Sequence, residues 1–187
     1  MPDVDLCLLR PFESRDAGLI VEAGLGPLIP LITTAPARCD PPQAHEFIER
    51  QHSRLPSGAG YSLATESKET GQAAGQIGLW FRDRDQGRAS LGYWLVNSRR
   101  GRGLASAALK TLADFGLSLP DIHRLELYVE PWNAGSWYVA ERAGFRREGV
   151  LRSWQQVSDG RRGMLMYSLP PSDLRQAIHI SRILLTS

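Results

Sequence analysis

Apolar positions along this chain change their period several times, and each change predicts an element. Leu6-Cys7-Leu8-Leu9-Arg10 is a short apolar run cut off by Pro11, which predicts a first strand. Ser14 or Asp16 then caps a helix through Ala17, Ile20, Val21 and Ala23 that ends near Gly24 or Gly26. Residues 26–36 are apolar but interrupted by Pro27, Pro30 and Pro36, so they suit neither a long helix nor a central strand. Such a loop either lines a pocket or folds onto the core. From Pro41-Pro42, the spacing of Ala44, Phe47, Ile48 and Gln51 predicts a second helix. Tyr61–Glu66 and Ala74–Phe81 read as a hairpin across a polar turn at 67–71, and the charged stretch 82–88 turns the chain into a third strand, Ala89–Val96.

The period then becomes helical. Leu104, Ala108, Leu112, Phe115 and Leu119 recur beside Ala105, Leu109 and Ala113, a wide apolar face suited to packing on a sheet. In the strand His123–Val129, Leu125, Leu127 and Val129 share one face, and Arg124, Glu126, Tyr128 and Glu130 share the other. A short helix over Ala134–Ala143 closes at Gly144. Phe145–Val150 starts another extended run, and Asp159-Gly160 turns into a last strand, Gly163–Leu169, stopped by Pro170-Pro171. Strand, two helices and an antiparallel meander predict an α/β fold with a mixed sheet flanked by helices, not a doubly wound parallel sheet. Residues 1–171 form one domain in this reading. The apolar extension 172–187 packs back on it, meets a second copy of the chain in a homodimer, or stays unstructured.

Composition narrows the class. A chain of 187 residues supports one substantial core. Its 22 Lys and Arg nearly balance 20 Asp and Glu, which argues against a nucleic-acid polyelectrolyte partner. Cys7 and Cys39 make neither a disulfide framework nor a metal pattern, so no metal is expected. The acidic start lacks a signal peptide's basic and apolar regions, and no run reaches the ~20 apolar residues that span a bilayer. A soluble, cytoplasmic protein without a membrane partner is expected.

The chemistry concentrates at residues 97–105, where strand becomes helix across Gly101 and Gly103 among Arg99, Arg100 and Arg102. A helix that starts in a glycine-rich turn presents backbone N–H groups without intrahelical partners, and the arginines add positive charge: an anion site. The Gly-Lys-Ser/Thr ending of a nucleotide-binding P-loop is absent, and so is the dinucleotide fingerprint.

Arg100-Gly101-Arg102-Gly103-Leu104-Ala105 is preceded by Leu91-Gly92-Tyr93-Trp94-Leu95. It is followed by Asn133-Ala134-Gly135-Ser136 and by Ala143-Gly144-Phe145-Arg146-Arg147-Glu148-Gly149. With Leu8-Leu9-Arg10-Pro11-Phe12, Asp16-Ala17 and Tyr167-Ser168-Leu169, this order resembles the GNAT superfamily of N-acetyltransferases over residues 6–169. The likeness is to its ribosomal-protein N-terminal branch, the RimJ and RimL type. The resemblance implies a mostly antiparallel twisted sheet whose two central parallel strands splay apart, with acetyl-CoA entering between the strand ending at Val96 and the one beginning near Arg124. Backbone amides of Arg100, Gly101, Arg102, Gly103, Leu104 and Ala105 would hold the pyrophosphate. Trp94, Leu95 and Val96 would pair with the pantetheine arm, Asn133 would bond near it, and Ser136 would stand close to the thioester sulfur.

The implied reaction is direct attack of a primary amine on the thioester in a ternary complex. The implied acceptor is a protein or peptide N-terminus, with a small-molecule amine or antibiotic as the alternative. Many superfamily members carry a tyrosine, as the acid for the departing thiolate, where this chain has Ala140. Tyr138 lies about 200° away on the helix, so Ser136 takes the role, as the RimJ and RimL likeness implies. For the base, Glu126 is the candidate, on a strand expected to face the gap, with His123, Glu66 and Asp83 also open. A main-chain N–H of the strand from Tyr93 to Val96 would stabilise the oxyanion. Residues 24–38 carry one charge, Arg38, which favours an uncharged or peptide-like acceptor over a polycation. Because of Ala140, a catalytically silent acyl-CoA-binding module is a second class. A basic RNA binder built on Arg99, Arg100, Arg102, Arg146 and Arg147 is a third.

Overall fold

Pro11 keeps the first strand short, and that strand forms one edge of the sheet. In the computed structural model, which describes residues 4–173, β1 (Cys7–Arg10) pairs antiparallel with β2 (Gly60–Ser67). β2 pairs with β3 (Gln72–Trp80), and β3 with β4 (Arg88–Leu95), also antiparallel. β5 (Arg124–Val129) then lies parallel to β4. β7 (Gly160–Leu169) runs antiparallel between β5 and β6 (Arg146–Val157), giving the order β1-β2-β3-β4-β5-β7-β6. This is the expected mixed sheet.

The parallel pair is where the sheet opens. β4 and β5 are in register only from Arg88 opposite Arg124 to Leu91 opposite Leu127. Beyond that, β4 continues against β3 as far as Leu95, and β5 continues against β7 as far as Val129. A wedge therefore opens between them. Its two sides differ. Leu109, Leu112 and Leu104 of α4 (Leu104–Ser118) pack with Leu91, Leu125 and Leu127 on one face of the sheet. Ile20 of α1 (Ala17–Leu25) and Phe47 of α3 (Pro41–His52) pack with Ala64, Trp94 and Val96 on the other. Each fully buried leucine contributes about 1.5–3 kcal/mol.

Two segments depart from the sequence pattern. Within 26–36 the chain forms a five-residue helix, α2 (Leu28–Ile32), with Pro30 inside it. Pro30 is tolerated because it falls in the first turn, where N–H groups have no intrahelical acceptor to lose. The Thr33 hydroxyl closes the far end by donating to the Ile29 carbonyl at 2.7 Å. β6 carries the extended run that starts at 145–150 on to Val157, and β7 starts at Gly160, three residues before the expected Gly163. β6 is largely exposed, and its register breaks between Leu151 and Gln155, so no alternation of apolar residues marks it. The expectations for the tail concern residues that, past Asp173, lie outside the described ones. No helix among the described residues is long and apolar enough to cross a membrane.

Candidate active site

Gly101 and Gly103 both have left-handed backbone, with φ of 79° and 77°, a region where an L side chain is strained. This double turn swings the chain from β4 into α4, and no side chain caps the helix. The amide of Ala107 bonds the Gly103 carbonyl at 3.0 Å, so the amides of Leu104, Ala105 and Ser106 precede the helix ladder and stay open toward the wedge. Arg100 folds back, its Nε donating to the Leu95 carbonyl at 2.9 Å. Arg102 points outward, half-exposed, and loosely paired with Glu69 at 3.8 Å.

A cavity of about 510 Å³ starts at this turn. Of the residues expected to hold the cofactor, Trp94, Leu95, Arg100, Gly101, Gly103, Leu104, Ala105, Asn133 and Ser136 line it; Val96 and Arg102 do not. The Val96 amide is already bonded to the Ala74 carbonyl of β3 at 3.0 Å. In an antiparallel ladder, alternate residues turn both backbone groups to the same neighbour. Trp94 therefore faces β3 as well, and Tyr93 and Leu95 are left to turn their backbone toward the wedge. Trp94 lines the cavity with its main chain engaged on β3.

The opposite wall is α5 (Ala134–Arg142). Asn133 is its N-cap, the side chain accepting from the Ser136 amide at 3.3 Å, so the cap and a cavity-lining position fall on one residue. The Ser136 carbonyl accepts from the Tyr93 hydroxyl at 3.0 Å, which ties α5 to β4 across the wedge. Tyr93 is held protonated: burial, with the nearby Glu130 carboxylate adding, pushes its pKa up to about 12. Ala140 is fully buried in the α4-side core, so no hydroxyl could reach the cavity from its position without repacking that core. Tyr138 does line the cavity, at its rim beside Arg142, with the two side chains 3.4 Å apart.

Glu126 does not face the wedge. It pairs opposite Ser90, inside the last bonded rung, so the gap opens one residue beyond it. The side chain is 2% exposed, with one oxygen 2.8 Å from Arg124 Nε and 3.6 Å from Arg88, and the other accepting from the Tyr128 hydroxyl at 2.7 Å. Period-two alternation gave its face correctly; the ladder register decided its depth. Glu66 is paired with Arg10 and Arg15, Asp83 with Arg88, and His123 is exposed; none of the three lines the cavity. Glu130, at the end of β5, is 8% exposed and makes no ion pair among the described residues. Sequence reasoning named the Tyr93 main chain but passed over its hydroxyl, Ser106 and Arg142, which only wedge geometry singles out. It left open the role of Leu28, Ile29 and Ile32, which line the cavity from α2.

Comparisons with known proteins agree with this geometry. Residues 7–146 match the model of the acetyltransferase (GNAT) domain family. The chain is 29% identical over 161 residues, 86% of its length and 90% of the relative's, to the uncharacterized N-acetyltransferase p20 of Bacillus licheniformis. It is 31% identical over 80 residues, 43% of its length and 45% of the relative's, to the ribosomal-protein-serine acetyltransferase of Escherichia coli. The solved structure of Mycobacterium smegmatis RimJ in complex with CoA-disulfide superposes with a TM-score of 0.75 at 25% identity, covering 94% of this chain and 91% of that one. An opened parallel pair with free amides at the adjoining helix start thus accompanies the matching sequence, and the chain belongs to the GNAT acetyltransferase family, in the likeness of its RimJ and RimL members, with acetyl-CoA as the acetyl donor.

Proposed function

We propose that this protein transfers the acetyl group of acetyl-CoA to the α-amine of a protein or peptide N-terminus, by direct attack within a ternary complex. The observation that carries the proposal is a single cavity touching both sides of the sheet: the open amides at α4 at one end, the charge-free helix α2 at the other. The pyrophosphate would rest on the amides of Leu104, Ala105 and Ser106, with Arg100 and Arg142 adding positive charge at the rim. Asn133 and the Tyr93 and Leu95 backbone would align the pantetheine arm. A Tyr93 or Leu95 amide would meet the developing oxyanion, and the Ser136 hydroxyl would give its proton to the departing thiolate.

Proton removal supports an α-amine. No carboxylate or histidine lines the cavity among the described residues. An α-amino group, with a pKa of about 7.7–8.0, is roughly one-third neutral at pH 7.5, whereas a lysine-like amine near 10.4 is about 0.1% neutral. The acceptor that needs less help is therefore favoured by about two to three hundredfold in its neutral fraction. What help is required falls to Glu130 through water, in place of Glu126. The test is CoA release with peptides beginning with Ser, Ala, Thr or Met beside spermidine and simple alkylamines. Peptide-dependent release supports the proposal. Release only with spermidine or alkylamines would move the assignment to a small-molecule acetyltransferase, and CoA binding with no release on any acceptor would favour the silent module.

A further inference from the structure

Part of the cavity's lining, its apolar chamber, is made of residues that neither the pyrophosphate turn nor the Asn133 wall accounts for. Leu28, Ile29 and Ile32 of α2 make up this part together with Trp94, without a charged group among them. Ile29 and Trp94 belong to the core layer on the α1 and α3 side of the sheet, while Leu104, at the amide-rich end, belongs to the α4 layer. The chamber therefore lies across the wedge from the pyrophosphate turn. A donor and an acceptor that react directly must approach one carbon from different directions, and residues of both core layers line this one cavity.

Trp94 is held in place by a buried chain of polar groups. Its indole Nε1 donates to Gln76 Oε1 at 2.7 Å. The Gln76 amide nitrogen donates to the Ser62 hydroxyl at 2.6 Å and to Gln51 Oε1 at 3.1 Å, and Ser62 also donates to Gln51 Oε1 at 3.1 Å. Gln51 donates in turn to the Phe47 carbonyl of α3 at 2.9 Å. Gln51, Ser62, Gln76 and Trp94 are each no more than 8% exposed. A buried amide chain with its partners satisfied fixes one rotamer, because any other leaves a donor or acceptor unpaired. The indole is thereby a rigid wall rather than a mobile gate.

We infer that this chamber is the acceptor's specificity pocket, taking an uncharged, apolar side chain on the carbon that bears the accepting amine, and that Gln76 is a positioning residue acting through Trp94. The inference rests on the acetyl-transfer reading above and adds to it a substrate class: N-termini with a branched aliphatic or comparable apolar first residue. Each methylene seated in such a pocket changes selectivity by about tenfold or more.

The experiment uses two otherwise identical hexapeptides beginning with Leu or Gly. CoA release and calorimetric binding to the CoA-saturated protein are both measured. Wild type should favour the Leu peptide by at least about tenfold in kcat/KM. Ile32→Phe, at a partly exposed position of a surface helix, fills the chamber; it should abolish that preference and leave CoA affinity within about twofold. Gln76→Leu should lower the rate on the Leu peptide and spare the Gly peptide, whereas a purely structural defect would lower both alike. An unchanged preference in Ile32→Phe overturns the inference, and so does a fall in CoA affinity, which would assign the chamber to the donor. Binding that is selective and sensitive to Ile32→Phe, but without CoA release, supports the pocket and sinks the transferase reading instead.

Discussion

Replacing Gly103 by alanine tests the pyrophosphate turn more cleanly than removing a charge. The residue has φ of 77°, and an L side chain there costs about 1–2 kcal/mol. The added Cβ would sit 3.2 Å from Leu6 Cδ1, the end of a side chain that can yield, so the strain is mainly in the backbone. The variant can either keep the turn and carry that strain, or relax the turn and rotate the Leu104, Ala105 and Ser106 amides away from the anion. In the second case the strain returns only when ligand restores the turn, and the same 1–2 kcal/mol appears as a loss of CoA affinity of about 5- to 30-fold. Calorimetry with CoA and with pantetheine, which has no pyrophosphate, separates the outcomes. The expected result is weaker CoA binding with pantetheine unaffected. Equal loss for both ligands, or unchanged affinity for CoA with unchanged thermal stability, would refute the assignment of this turn to the pyrophosphate.

Ser136→Ala should reduce turnover by about tenfold to a hundredfold while CoA affinity stays the same, read by single-turnover kinetics and calorimetry; equal turnover removes the hydroxyl from the reaction. Glu126→Gln should destabilise the fold by about 1–3 kcal/mol in denaturant titration, because it weakens charged hydrogen bonds to Arg124 and Tyr128, and should leave the pH profile of kcat/KM unchanged in shape. Glu130→Gln should depress that profile at every pH below the amine's own pKa, and a profile matching wild type would leave the amine's ionisation as the sole source of the pH dependence. Hydrogen bonds from Arg124 and then Ser168 hold the Glu148 carboxyl down at about 2, against an ordinary 4.5. A depressed folded pKa adds stability above the unfolded value and loses it as the pH falls from about 4.5 toward 2, so Glu148→Gln should flatten the acid limb of stability in that window, followed by circular dichroism.

Sequence alone determined what is local. The two glycines among arginines, the apolar stripe from Leu104 to Leu119 and the short helix closed by Gly144 need only neighbouring residues to be read, and all three stand where the pattern put them. Helix and strand periods also sorted Leu125, Leu127 and Val129 from Glu126, Tyr128 and Glu130, because facing is a property of spacing. Register is not. Whether Glu126 stood inside or outside the wedge depended on where the β4–β5 ladder stops, set by packing on both faces of the sheet, and the last rung at Leu91 and Leu127 left Glu126 buried among arginines. The same long-range geometry spent the Val96 amide on β3, joined Tyr93 to Ser136 across the gap, and brought the proline-broken segment at 26–36 against Trp94. The donor's turn was legible because it is one continuous stretch of chain. The chamber across from it is assembled from α2 and β4, some sixty residues apart, and only the folded sheet brings them together.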